Sequence, residues 1–123
     1  MSLATLFSIT NAVAAVAWLV LMVAPLGRDG PRRFAIGVAV LLGLVYAALI
    51  GAFITQGNGG FDSLDSVARL FEHRGLLLAG WVHCLAFDLL VGTWQREQAR
   101  ALGFSRWLLA PLLFLTFMFG PIG

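Results

Sequence analysis

The chain has 123 residues, of which 60% are hydrophobic and only 11% charged, with a formal net charge of +2. Soluble domains carry about 25% charged residues, so this is the composition of a membrane protein. All the basic residues are arginines lying between or beside the apolar runs, and no basic stripe interleaves with aromatics, which argues against a nucleic-acid partner. The single cysteine, Cys84, has no intrachain disulfide partner.

A membrane-spanning helix needs about 20 mostly apolar residues, and four segments approach that length: residues 3–24, 34–55, 75–94 and 104–123. The first lacks a basic leader and a small-residue cleavage site, and its apolar run exceeds that of a signal peptide, so it is read as a retained helix. The expected fold is all-α: a single transmembrane domain over residues 1–123, built as an integral membrane four-helix bundle.

The connections carry turn chemistry. "PLGRDGPRR" (25–33) stops the first helix at Pro25, turns through Gly27 and Gly30, and restarts at Pro31, a residue suited to a helix's first turn. "QGNGG" (56–60) reads as a flexible break. "FDSLDSVARLF" (61–71) then reads as a short interfacial amphipathic helix between helices two and three. Its expected N-cap is Asp62, with Asp65 at N3 and an apolar stripe of Leu64, Val67, Ala68 and Phe71. "QREQARALGFSR" (95–106) extends the third helix past the bilayer and turns at Gly103.

Loops one and three hold Arg28, Arg32, Arg33, Arg96, Arg100 and Arg106, whereas loop two holds Arg69 and Arg74 against Asp62, Asp65 and Glu72. The positive-inside rule makes loops one and three cytoplasmic and both termini external, in an inner or plasma membrane. Trp94 and Trp107, near helix ends, read as interface anchors. Gly37, Gly43 and Gly51 in helix two read as packing contacts.

The polar residues inside the apolar segments are the functional candidates. At about 1.5 Å per residue, Asn11, Tyr46 and His83 lie about 12–14 Å from the loop-two side, and Thr116 falls near the same level counted from the other face. Asp88 lies about 20 Å deep, on the side of helix three carrying Gly80, Cys84 and Gly92, with Trp81 bordering that face. His83 and Asp88 are separated by about 140° around the helix, so they either converge on a ligand wrapped between helices or bond to different neighbours. Asn11, Tyr46 and Thr116 have a plainer reading as interhelical hydrogen-bond pairs, worth about 0.6 kcal/mol each. Asp88 does not: an ionisable residue inside a membrane is a functional-site hypothesis by default. Asp62, Asp65, Glu72 and His73 match no metal-ligand spacing, so neither a metal nor another cofactor is expected.

"GWVHCLAFDLLVG" (80–92), with "GGFDSLDSVARLF" upstream and "LTFMFGPIG" at the end, resembles the membrane-protein family of the plant abscisic-acid-deficient-four proteins, implicated in neoxanthin synthesis. The resemblance spans most of the chain in the same order, and family members often carry an aromatic where Cys84 stands. It implies isomerisation of a carotenoid epoxide, violaxanthin, to its allenic isomer neoxanthin. That redox-neutral reaction needs an acid at the epoxide oxygen and a base at a polyene carbon, roles that His83 and Asp88 could supply. Asn11, Tyr46, Trp81 and Thr116 would bind the substrate, a polyene or isoprenoid lipid entering sideways from the bilayer. The alternative is a protein that binds or assembles with such a lipid without transforming it. Four short helices enclose little volume, so a homodimer is a reasonable partner.

Overall fold

The computed structural model describes residues 2–25 and 27–120. It is all-helical among these residues, with five α-helices, of which three are long and apolar enough to cross a membrane.

α1 (Leu3–Val23) starts where the Thr5 N–H donates to the Ser2 side chain at 3.1 Å. It stops because Pro25 forces Ala24 into extended backbone (ψ 145°) and has no N–H to offer the Leu21 carbonyl one turn back. α2 (Gly30–Phe53) begins about one turn earlier than the apolar run, since Pro31 fits the first turn, and runs on into a 3-10 turn at Ile54–Gln56.

α3 (Leu64–Leu70) is capped by Ser63, not by the expected Asp62; the Ser66 N–H donates to Ser63 Oγ at 3.1 Å. The expected apolar stripe also faces outward at its start, with Leu64 84% exposed, while Ser66 and Leu70 are buried. The cause lies in the preceding loop, which packs onto the Ser66 and Leu70 side. The Gly60 N–H donates to the Ser66 carbonyl at 3.2 Å, and a Cβ on Gly59 would collide with that same carbonyl. The "QGNGG" stretch is therefore packed backbone and not a loose break.

α4 (Arg74–Leu102) is the longest helix and ends where Gly103 takes a left-handed φ of 75°, as a helix C-terminus favours. α5 (Arg106–Phe119) is capped by Ser105 and stops at Gly120, which has φ 55° and is followed in sequence by proline. Its 14 residues extend about 21 Å, short of the roughly 30 Å hydrocarbon core. Residues 121–123 of the expected fourth span lie outside the described residues.

Side-chain pairs fix the directions of the helices. Asn11 meets Trp81, Trp18 meets Gly92 and Leu21 meets Arg96, so α1 and α4 run parallel. Tyr46 meets His83 and Phe53 meets His73, so α2 runs antiparallel to α4. α5 runs antiparallel to both α1 and α4, pairing Phe117 with Trp18 and Thr116 with Gln95. The core between them holds Trp18, Leu21, Leu42, Val82, Leu89 and Leu113, each at most 1% exposed.

Glycine placement departs from expectation. A Cβ at Gly37, Gly43 or Gly51 would meet nothing within 4 Å, so these residues of α2 make no close packing contact within the chain. The close approach is at Gly92, where a Cβ would lie 2.6 Å from the Trp18 ring.

Candidate functional site

α4 carries both ionisable candidates and presents them on opposite flanks of one outward face. His83 is exposed between the rings of Tyr46, at 5.2 Å, and Phe87, at 4.7 Å. Asp88, about 140° further round, faces the end of α5, where a Cβ on Gly120 would lie 3.4 Å from its Oδ1. Between these flanks lie Cys84, Phe87 and Val91, all exposed. The two groups therefore border different neighbouring helices, and a ligand reaches both only by lying across α4.

The His83 flank opens on a cavity of about 250 Å³ whose walls include Tyr46, Ile50 and Leu76. Phe71, following α3, closes its outer side by seating its ring where Gly80 leaves room; a Cβ there would lie 2.9 Å from Phe71. Tyr46 and His83 are the polar side chains in this apolar lining.

The Asp88 flank is set by the length of α5. α5 covers the groove between α1 and α4 from the arginine-rich end as far as Asp88. Beyond that level, the groove on the α5 side, away from α2, is open among the described residues, with Phe7, Leu77 and Trp81 exposed along it. Asp88 is half-buried and makes no hydrogen bond or ion pair among the described residues. Trp81, two turns nearer the loop-two end, is held by its own bond: Nε1 donates to Asn11 Oδ1 at 2.8 Å, and Phe7 lies at 5.9 Å.

The structure brings Tyr46 to His83 and Asn11 to Trp81, but it does not bring Thr116 to their level. Thr116 is fully buried, with its hydroxyl 3.1 Å from Gln95 Oε1 and 3.0 Å from the Leu112 carbonyl. Gln95 lies twelve residues beyond His83 on α4, about 18 Å along the axis. The shift arises because the tight turn at Gly103 zips α5 against the last turns of α4, which count as part of the packed structure and not as an extension beyond it.

Arg96, expected beyond the bilayer and counted with loop three, is instead buried to 4% exposure. Its guanidinium donates to the carbonyls of Leu21 at 2.7 Å, Ala24 at 3.0 Å and Pro25 at 3.0 Å. Arg106 adds a bond to the Val23 carbonyl at 2.8 Å. At the same end Arg100 pairs with Asp29 at 2.9 Å and Arg32 approaches Glu97 at 3.6 Å. Among the described residues, no three His, Cys, Asp or Glu side chains gather into a metal-holding group. His73 instead caps α4, its Nδ1 accepting from the Gly75 N–H at 3.2 Å.

Residues 5–123 match the family described as ABA DEFICIENT 4-like (ABA4-like), essentially the whole chain, and the chain belongs to that family. No curated protein and no solved structure matches it.

Proposed function

We propose that this member of the ABA DEFICIENT 4-like family is an integral membrane isomerase of a carotenoid-class polyene. The substrate enters from the bilayer and lies across the outward face of α4, with one end in the Tyr46–His83 cavity and the chain crossing Cys84 toward Asp88. α1, α2, α4 and α5 then form a four-helix bundle in the membrane. α3 lies at the interface, with Phe61 and Leu64, exposed by 78% and 84%, directed to the headgroups. The arginine-rich end is cytoplasmic. Arg96 drops out of that charge count because it is buried, but Arg28, Arg32, Arg33, Arg100 and Arg106 still outnumber Arg69 and Arg74.

The observation that carries this reading is Asp88. A carboxylate at the centre of a spanning helix costs about 2.5–3.5 kcal/mol on insertion scales, and Asp88, which has no partner there among the described residues, has a ligand role as its default. In the reaction, one proton goes to the epoxide oxygen as its C–O bond breaks, and one leaves a polyene carbon as the allene forms. No net oxidation occurs. His83 and Asp88 are the two proton-transfer groups flanking the same face, and positioned groups of this kind supply about 10²–10⁴-fold.

A second reading has its own support. Trp81 with Asn11, at the edge of the open crevice, and Thr116 with Gln95, satisfy one another between helices, which fits a lipid-binding or assembly protein whose polar residues set helix register. Reconstitution of the purified protein with a carotenoid epoxide in liposomes, read by chromatography of the pigment, separates the two. The isomerase reading expects the allenic product from the wild type and at least about a 10²-fold loss in Asp88→Asn and in His83→Phe. Unchanged turnover in both variants removes the acid–base assignment, and pigment retained without conversion by the wild type favours the binding protein.

A further inference from the structure

A second crevice lies on the open half of the α1–α4 groove, away from the Tyr46–His83 cavity. It has a volume of about 370 Å³, with Leu3, Ala4 and Phe7 of α1 on one wall and Leu77, Leu78 and Trp81 of α4 on the other. Every wall side chain is apolar or aromatic. Phe7, Leu77 and Trp81 are 44%, 55% and 47% exposed, so the crevice is open along its length. The charged residue in the lining is Arg74, the first residue of α4, exposed at the loop-two end and in no ion pair among the described residues. Trp81 closes the inner end, held in place by its bond to Asn11.

An apolar trough running along two parallel membrane-length helices, with one cation where those helices begin, matches an amphiphile that has an aliphatic tail and an anionic head. We propose that this crevice is a site for an anionic phospholipid, with one acyl chain between α1 and α4 and the phosphate on Arg74. The lipid does for the upper half of the groove what α5 does for the lower half: it fills the space between α1 and α4 and completes their packing. The site requires only that α1 and α4 lie in the bilayer, and it stands whether or not Asp88 and His83 transform a polyene.

Native mass spectrometry of the detergent-solubilised protein, titrated with equal amounts of phosphatidylglycerol and phosphatidylcholine of the same acyl chains, tests the proposal. The wild type is expected to retain phosphatidylglycerol about fivefold over phosphatidylcholine, the ratio that one arginine near a membrane surface carries. Arg74→Gln brings the two lipids to parity. Ala4→Phe fills the trough and removes the first bound lipid of either kind, with helix content by circular dichroism unchanged in both variants. Equal retention of both lipids by the wild type, or an undiminished preference in Arg74→Gln, overturns the proposal. So does competition by inorganic phosphate alone, which would make the ligand a free anion. A dimer mass that Ala4→Phe reduces to monomer would overturn it as well, by making the crevice a contact between two copies of the chain.

Discussion

The Arg96 guanidinium donates to the Leu21 carbonyl at 2.7 Å, across 75 residues of sequence. That carbonyl needs it, because its helical partner would be the N–H of residue 25, which is a proline. Arg96 thus completes the end of α1 from the neighbouring parallel helix and takes the Ala24 and Pro25 carbonyls in the same fork. Removing it leaves three backbone acceptors without that donor, the buried Leu21 carbonyl among them. Hydrogen bonds to charged groups are worth about 1.5–3 kcal/mol each, and their losses overlap when one side chain makes all of them. Arg96→Ala is therefore expected to lower unfolding free energy by about 3 kcal/mol, and Arg96→Lys by less, since an ammonium lacks the planar fork. Reversible unfolding in mixed micelles measures both, and equal stability of Arg96→Ala and wild type would refute the capping role.

Two groups of glycines respond oppositely to alanine. At Gly92 an added Cβ meets the Trp18 ring at 2.6 Å, and Trp18 is 1% exposed with no room to retreat. Gly92→Ala is expected to destabilise by about 1–3 kcal/mol, the usual result of overpacking. At Gly37, Gly43 and Gly51 the added methyl enters open space, and alanine gains up to about 1 kcal/mol per site from helix propensity. The same unfolding assay orders the variants, with Gly92→Ala below wild type and Gly37→Ala at or above it.

That contrast marks where the sequence is informative. The apolar runs, the restart at Pro31 and the Gly103 stop are local features, written in composition and backbone chemistry, and they appear in the structure close to where they were expected. The angle between His83 and Asp88 is also local, since it follows from helical pitch. Which neighbour each residue meets is not local. Counting from the membrane faces puts Thr116 level with His83, but its level is set by the Gly103 turn zipping α5 onto α4. Arg96 sits in a polar stretch that reads as helix three running on past the bilayer, and its signal is distant: a proline four residues after Leu21, with a cation at the matching level of a parallel helix. Glycine spacing likewise could not say which side of α2 faces the protein.

Asn11 and Trp81 form an interhelical pair whose worth can be isolated. The 2.8 Å bond from the indole N–H to Oδ1 lies beside the open α1–α4 crevice. A double-mutant cycle with Asn11→Leu and Trp81→Phe is expected to give a coupling energy of about 0.6 kcal/mol, the average for polar pairs between spanning helices. A value indistinguishable from zero would mean the pair does not hold α1 against α4.

Asp88 and Thr116 separate chemistry from packing, because each faces α4–α5 contacts but only one has solvent- or lipid-accessible surface. Thr116 is fully buried and its hydroxyl is occupied by Gln95 and Leu112. Thr116→Val keeps the shape and removes the bond, so it is expected to cost about 1 kcal/mol of stability and, under the proposed isomerase function, to leave polyene turnover within twofold of wild type. Asp88→Asn keeps the shape and removes the titratable proton, at a site where the carboxyl has no hydrogen-bond or ion-pair partner among the described residues. Its stability should be equal to or greater than wild type, while turnover falls by about 10²-fold or more. The opposite pattern, with Asp88→Asn unstable but active and Thr116→Val stable but inactive, would exchange the two roles.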